Sequence, residues 1–177
     1  MDDSALIKDC LNGNVRAQKT LFDRFAPKML GVCMRYCKSK EQAEDVLQDG
    51  FVKVFIKLAE FKHEGSFEGW IRKIMVNTAL DSLRKEMKIS ADVEIEFAVD
   101  KSESETVLAE LSAAEIVQLV SMMPDGYRVV FNLFAIEGYS HQEIADSLGI
   151  TESTSKSQYS RARAYLRKKM EKEEFGR

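Results

Sequence analysis

The 177-residue sequence contains few of the residues that interrupt helices, with only 2 prolines and 9 glycines. Long helices can therefore run without a break, and patterns typical of β-strands are scarce. The sequence also lacks an apolar run long enough to span a membrane. Its first residues, 1–4, are acidic, unlike a secretion signal. We therefore expect a soluble, cytoplasmic, all-α protein without membrane insertion.

Cysteine is also scarce, and the three residues Cys10, Cys33 and Cys37 include no Cys-x-x-Cys pair. Cys33 and Cys37 can share a helix face, but His63 has no companion histidine at ligand spacing. We predict buried free thiols, no metal and no cofactor. A thiol or metal enzyme built on Cys33, Cys37 and His63 is the alternative from another class, which the absence of a glycine-rich phosphate loop disfavours.

The net charge of −3 is unevenly distributed along the chain. Residues 88–112 hold seven acidic and two basic side chains, whereas the tail is locally basic from Lys156 to Lys172. The acidic overall balance therefore does not exclude a nucleic-acid partner. The apolar spacing is helical on both sides of the acidic stretch, which predicts two small helical domains, 1–87 and 112–177, joined by a linker, 88–111.

Residues 138–151 predict a helix, a glycine turn and the start of a second helix. Ser140 and Glu143 have capping-box spacing, Gly149 can end the first helix in a left-handed conformation, and Thr151 can cap the second. The predicted C-terminal domain is then a four-helix domain with a helix-turn-helix, and Ser112 with Glu115 forms another possible capping box within it.

The second helix of this motif has the composition of a DNA recognition helix. Small, polar or cationic residues that can reach base edges precede cations that suit phosphates. The base-facing candidates are Thr154, Ser155, Lys156, Ser157 and Gln158, and the cations are Arg161, Arg163, Arg167, Lys168 and Lys169. The alternative is an ordinary helical hairpin with a solvated basic face.

The first half of the chain carries two candidate binding clusters on predicted helices. Ser39 and Gln42 predict a capped helix on which Asp45, Gln48 and Asp49 form an acidic stripe. This stripe is either a solvated face or a docking surface for a basic partner helix.

The second cluster interleaves aromatic and basic side chains with an amide: Phe67, Trp70, Arg72, Lys73, Asn77, Asp81, Arg84 and Lys85. Such a set suits single-stranded nucleic acid, because aromatics stack on bases and cations follow the backbone. The alternative is that Trp70, the single tryptophan, belongs to the core.

The order of these motifs carries more information than any one of them. The first motif is Asp45-x-x-Gln48-Asp49-x-Phe51, and the second is Phe67-x-x-Trp70-Ile71-x-x-Ile74-x-x-Asn77-x-x-x-Asp81-x-x-Arg84. An acidic linker follows. After it come Tyr139-Ser140-x-x-Glu143-Ile144-Ala145, then Thr154-x-Lys156-Ser157, and finally Arg161-Ala162-Arg163. Over nearly its whole length the chain closely resembles the extracytoplasmic-function (ECF) group of bacterial RNA polymerase sigma factors.

The resemblance implies a transcription initiation factor that is not an enzyme. It implies that Asp45, Gln48, Asp49 and Phe51 dock on the clamp helices of the largest subunit of core RNA polymerase. It further implies that Trp70, Asn77, Asp81 and Arg84 lie in the segment that captures the minus-ten element, and that residues 154–163 form the helix that reads the minus-thirty-five element.

The resemblance also extends to partners and has two local departures. It implies contact with the polymerase flap region, promoter DNA and an anti-sigma factor. Glu152 and Ser153 replace a glycine often found before the recognition-helix threonine, and Ser155 stands where the family usually has an apolar residue.

We expect a monomer when the protein is free. Two alternative functions remain. A self-sufficient helix-turn-helix regulator would be a dimer, and a purely helical adaptor would not use its basic tail on DNA.

Overall fold

The computed structural model describes residues 2–89 and 118–174 of the chain. The chain divides into two compact units, Met1–Lys88 and Ile89–Arg177. Within the described residues every regular element is helical, which confirms the all-α prediction. The predicted linker lies outside the described residues except at its start, where the last helix of the first unit continues to Ile89. The predicted capping pair Ser112 and Glu115 also lies outside them.

The N-terminal unit consists of four α-helices and one short 3₁₀ turn. These are α1 (Asp3–Leu11), α2 (Val15–Met34), α3 (Lys40–Lys57), the 3₁₀ turn Leu58–Glu60 and α4 (Phe67–Ile89). The helix α2 begins at an asparagine cap, because the Asn14 side chain accepts hydrogen bonds from the amides of Arg16 and Ala17. It then continues through Pro27 as a single helix.

The predicted capping box at the start of α3 is only half formed. Ser39 Oγ accepts a hydrogen bond from the amide of Gln42, as expected. The Gln42 side chain, however, accepts from the amide of Lys38 at 2.9 Å, one residue before the predicted partner. Both bonds satisfy amides at the helix start, so α3 has the start that its sequence predicts.

The apolar spacing of the four helices buries a common core in this unit. Leu21, Met29, Val54, Ile71 and Met75 are among its fully buried side chains. Exposed ion pairs join α1 to α2 through Asp3 and Arg24, and α2 to α4 through Lys28 and Glu68.

Gly50 lets α3 approach α4 closely. A β-carbon at this glycine would lie 2.3 Å from the sulfur of Met75, which is itself fully buried. The absence of a side chain at residue 50 therefore fixes how closely these two helices pack.

The C-terminal unit contains the predicted helix-turn-helix. Residues 118–121 are helical and are followed by α5 (Asp125–Phe131), a π-helical turn (Asn132–Ile136), α6 (His141–Leu148) and α7 (Glu152–Glu174). The core of this unit is formed by Leu119, Val120, Met123, Phe131, Ala162, Leu166 and Met170, with Tyr127, Tyr159 and Tyr165 packed against it.

A buried arginine ties the segment before α5 to α5 itself. Arg128 is 5% exposed, pairs with Asp125 at 2.7 Å and donates to the carbonyl of Ser121 at 3.4 Å. The helical run ends at Ile136, and Gly138 follows it in the left-handed region at φ +77°.

Candidate polymerase and nucleic-acid surfaces

The acidic residues of α3 lie on its solvent side. Asp45, Gln48 and Asp49 are all exposed, and their spacing of three and four residues places them on one side of the helix. The same side continues with Val52 and Ile56, which are 57% and 75% exposed. We call these five residues the α3 stripe.

Val52 and Ile56 did not enter the sequence-based assignment. The signal was present in the sequence, because residues 45, 49, 52 and 56 recur at helical spacing. The spacing alone does not say which side of the helix is covered, and only the packed structure shows that these two side chains face solvent.

Phe51 requires a correction. It was expected to contribute to polymerase docking, but its side chain is only 2% exposed. Its ring lies 4.7 Å from the ring of Phe22 and 6.3 Å from that of Phe55. Phe51 therefore supports α3 from the core side and is not available to a docking partner.

Trp70 is half-buried at the beginning of α4. Its indole stacks on the ring of Phe67, with 5.8 Å between ring centroids, and lies 5.5 Å from the ring of Phe61. One portion of the indole belongs to an aromatic cluster, and the remainder is accessible for stacking.

The polar residues that follow Trp70 lie along one side of α4. Lys73 and Asn77 are exposed, and Asp81 and Arg84 are half-buried. With Trp70 they recur at spacings of three and four residues, so they form one continuous surface. We call these five residues the α4 face. Of the other two predicted residues, Lys85 is exposed and Arg72 is half-buried.

Asp81 bridges two basic side chains from different helices. Its carboxylate accepts from Lys53 of α3 at 3.2 Å and from Arg84 of α4 at 2.9 Å. A carboxylate repels phosphate, so this geometry supports a role in holding the two cations near the α4 face. All three side chains are 41–49% exposed, and such surface pairs contribute only about 0–1 kcal/mol.

The helix-turn-helix has the local geometry that its sequence predicts. Ser140 and Glu143 form both bonds of a capping box, with Ser140 Oγ accepting from the Glu143 amide and the Glu143 carboxylate accepting from the Ser140 amide. Gly149 ends α6 in the left-handed region at φ +68°, and Thr151 Oγ1 accepts from the Thr154 amide at the start of α7. Short-range bonds therefore define both helix starts and the turn of the motif.

The recognition-helix candidates are divided between the two sides of α7. Lys156 and Ser157 are exposed, and Lys156 forms a 2.7 Å ion pair with Glu152. Thr154 is half-buried, and its hydroxyl is 2.8 Å from that of Thr151. Gln158, Arg161 and Arg163 are also half-buried.

Ser155 requires the second correction. It was expected to contact DNA, but its side chain is 0% exposed and its hydroxyl lies 2.9 Å from Nδ1 of His141. It therefore belongs to the inner side of α7. The exposed side instead includes Ser153 and Ser160, which sequence reasoning missed although they lie at helical spacing from Lys156 and Ser157.

The predicted free thiols are confirmed. Cys10, Cys33 and Cys37 are all buried and free. Burial, followed by the neighbouring Cys37, raises the pKa of the Cys33 thiol to about 12. Across the described part of the chain no group of three or more histidine, cysteine, aspartate or glutamate side chains has a geometry that could hold a metal ion.

Comparison with known proteins places this helical pattern in a family. The Sigma-70 region 2 model matches residues 21–89, which include α3 and α4, and the Sigma-70 region 4 model matches residues 113–166, which include the helix-turn-helix. The chain belongs to the ECF sigma factors. It is a transcription initiation factor that directs RNA polymerase to promoters.

The relatives share the full length of this sigma factor. It is 27% identical to the RNA polymerase sigma-H factor of Pseudomonas aeruginosa, with 96% of this chain and 94% of that protein covered. It is 26% identical to the ECF sigma factor SigW of Bacillus subtilis, with 93% and 94% covered. The named relatives are sigma factors and not catalytic enzymes.

Solved structures show the same fold at lower identity. CnrH, determined in complex with the cytosolic domain of CnrY, is 23% identical with a TM-score of 0.50, and the match covers 96% of this chain and 97% of that one. The sigma factor RpoE of Bartonella quintana, determined with the anti-sigma factor NepR, is 22% identical with a TM-score of 0.51, covering 87% and 96%. Among the described residues, no helix combines the length and apolarity needed to cross a membrane.

Proposed function

We propose that this sigma factor divides initiation among three surfaces and performs no catalysis of its own. The α3 stripe binds core RNA polymerase, the α4 face captures an unpaired promoter strand, and the exposed side of α7 reads the minus-thirty-five element. This proposal rests on one observation. On each of the three helices, most of the residues assigned to the surface are at least partly exposed and lie on one side of the helix.

The α3 stripe combines the two features that a docking surface needs. Asp45 and Asp49 supply charge that can orient a basic helix of the polymerase, such as the clamp helices of its largest subunit. Val52 and Ile56 supply exposed apolar area, whose burial stabilises a complex by about 25 cal/mol per Å². Because Val52 and Ile56 are neighbours on the same side of α3, one docking partner could cover both.

The α4 face suits an unpaired strand better than a duplex. The accessible part of Trp70 can stack on a base, an interaction that contributes about 1–3 kcal/mol. Asn77 can hydrogen-bond a base edge, and Lys73 can follow the backbone. Since unstacking costs a few kcal/mol per step, capture of a few bases is sufficient to favour the open promoter.

The exposed side of α7 suits the major groove. Lys156 and Ser157, with Ser153 and Ser160, can reach base edges, and the later cations of the helix can contact phosphates. In the free protein Lys156 is held by Glu152. Residues 113–177 carry nine basic and nine acidic side chains, so their net charge is zero. Promoter affinity is then low without polymerase, because phosphate contacts supply much of the affinity.

The partners follow from these surfaces and from the family. They are core RNA polymerase, including its flap region, promoter DNA and an anti-sigma factor, and the protein acts as a cytoplasmic monomer when it is free of them. An inhibitor that covered the α3 stripe or α7 would block the polymerase or the promoter directly. An inhibitor among the partners is supported by the solved structures of CnrH with the cytosolic domain of CnrY and of RpoE with the anti-sigma factor NepR.

The test compares Asp49→Lys with Lys156→Ala in reconstituted initiation. Asp49→Lys should weaken binding to core polymerase by at least about ten-fold, because it places like charge against a basic partner. Lys156→Ala should leave polymerase binding intact and lower initiation at a target promoter by roughly ten-fold, the effect of one base or phosphate contact of about 1–3 kcal/mol.

Matched controls come from the Lys19–Asp23 pair of α2, which is also an exposed pair four residues apart. Asp23→Lys and Lys19→Ala change the same charges at sites outside the three surfaces and should leave both measurements unchanged. If Asp49→Lys and Lys156→Ala impaired the same step, the proposed division would be wrong.

A further inference from the structure

A partly buried hydrogen bond joins the two helices of the helix-turn-helix. His141 is the first residue of α6, Ser155 lies in the first turn of α7, and Nδ1 of the histidine is 2.9 Å from Oγ of the serine. Either atom is the donor, according to the tautomer of the imidazole. A fully buried hydroxyl needs a partner, because a buried hydroxyl without one is costly, and the imidazole supplies it.

Two aromatic rings hold this imidazole in place. The ring of Phe134, from the π-helical turn, stacks on His141 with centroids 4.3 Å apart and an interplanar angle of 14°. The ring of Tyr159, one turn beyond Ser155 on α7, meets it edge-on at 5.9 Å. The histidine is therefore restrained by the segment before the motif and by α7 itself.

The hydrogen bond at Ser155 affects the direction in which the exposed residues of α7 point. Successive residues of an α-helix are turned by about 100°, so Lys156 and Ser157 point away from the inner side on which Ser155 lies. A directional bond at Ser155 fixes the rotation of α7 about its axis more closely than apolar packing would. The rotation in turn determines where Lys156 and Ser157 meet a base edge.

We propose that the His141–Ser155 hydrogen bond positions α7 and thereby sets its base preference at the minus-thirty-five element. The inference rests on the proposed function of α7 and adds a positioning pair that itself touches no DNA. His141 acts from the supporting helix, and Ser155 transmits the restraint to the side chains next to it.

The experiment uses holoenzyme assembled from the full-length chain and a promoter library in which the minus-thirty-five element is randomised. Three substitutions separate the hydrogen bond from the packing. Ser155→Ala removes the hydroxyl, His141→Phe keeps a stacked ring without the nitrogen, and His141→Asn keeps a polar atom near the position of Nδ1 without the ring. The readout is the ratio of transcripts from the preferred element to those from single mismatches.

We expect Ser155→Ala and His141→Phe to lower this ratio by about three- to ten-fold, the size of one neutral hydrogen bond. His141→Asn should retain most of the ratio, and the double variant Ser155→Ala with His141→Phe should be no worse than either single one. Preference at the minus-ten element, measured in the same reactions, should not change in any variant.

Several outcomes would overturn the proposal. Folded Ser155→Ala and His141→Phe variants that kept the full ratio would show that the bond does not set preference. Loss of the ratio in His141→Asn, with the full ratio retained in His141→Phe, would assign the effect to the stacked ring and not to the hydrogen bond. Since Ser155→Ala leaves an imidazole without its partner, circular dichroism checks that it folds, and His141→Phe carries the test if it does not.

The same library separates this inference from the proposed function. If the unsubstituted holoenzyme initiated efficiently without any preference at the minus-thirty-five element, the role of α7 itself would be wrong. If the unsubstituted protein showed a preference that the three substitutions left unchanged, only the positioning role of His141 and Ser155 would be wrong.

Discussion

Neighbouring residues in this sigma factor have opposite environments. Ser155 is fully buried, and Lys156 beside it is exposed. On α3, Phe51 is buried, and the adjacent Val52 is 57% exposed. Residue type alone predicts the reverse for Ser155 and Val52, since serine is mostly exposed and valine is mostly buried in proteins. Val52 belongs to a surface that we propose for binding, and Ser155 lies beneath another such surface.

Cys33 should be nearly inert in the folded protein. Its pKa is raised from 9.0 to about 12, first by burial and then by Cys37. The reactive thiolate is therefore about a thousand-fold rarer than for an unperturbed thiol. Labelling with iodoacetamide at pH 8, followed by peptide mass spectrometry, should modify Cys33 readily only after denaturation. Prompt modification of the native protein would contradict this packing.

Acid should destabilise the C-terminal unit through His141. Burial, followed by the nearby Lys156, lowers the pKa of this histidine below 6.5, and Glu152 opposes the shift in part. The unfolded chain therefore takes up a proton near pH 6.5, while the folded chain resists it, so stability is lost as the pH falls below that value. Thermal unfolding at pH 7.5 and 5.5 measures the loss, and it should be smaller in His141→Asn. An equal loss in both proteins would exclude His141 as the cause.

At the scale of single elements, the helix starts and turns of the C-terminal unit could be predicted well. The capping box at Ser140, the left-handed Gly149 and the cap at Thr151 all depend on residues within five positions of each other. Such features are local, so a sequence contains all the information that they need. The hydrogen bond that Gln42 accepts differs from the predicted one by one residue, because the amide of Lys38 is also within reach of its side chain.

Loss of the Ser140 cap should destabilise α6. Ser140→Ala removes the oxygen that accepts from the Glu143 amide, which costs about 1 kcal/mol. For a domain of this size, a change of about 1 kcal/mol corresponds to a decrease of about 4–8 °C in the unfolding midpoint. Differential scanning calorimetry measures it, with Ser153→Ala as an exposed serine control. Equal midpoints for the two variants would show that the cap does not contribute.

The whole molecule consists of two units with separate cores. The first unit closes its core with α1 to α4, and the second closes its own with residues from 119 to 170. This organisation suits a factor that contacts polymerase and two promoter elements with different surfaces. The acidic composition of the intervening residues predicts the division, and the two matched family regions agree with it.

The N-terminal unit should fold without the rest of the chain. A fragment ending at Ile89 contains all of α1 to α4, and a unit of this length buries enough apolar surface to be stable. We expect a helical circular dichroism spectrum, a cooperative thermal transition and competition with the full-length protein for core polymerase. Asp49→Lys in the fragment is the control and should abolish only the competition. A fragment without a cooperative transition would show that the first core depends on the second unit.

The sequence by itself determined the helices, their caps, the turn at Gly149 and the family, because each depends on residue type at short, regular spacing. The tertiary structure decided which side of each helix is buried. It assigned Phe51 and Ser155 to the interior and exposed Val52, Ile56 and Ser160. Helical spacing groups residues into faces, but which face is covered depends on contacts with residues distant in the chain. For that reason α3, α4 and α7 could be predicted as helices from the sequence, while the sides of these helices that face solvent required the packed structure.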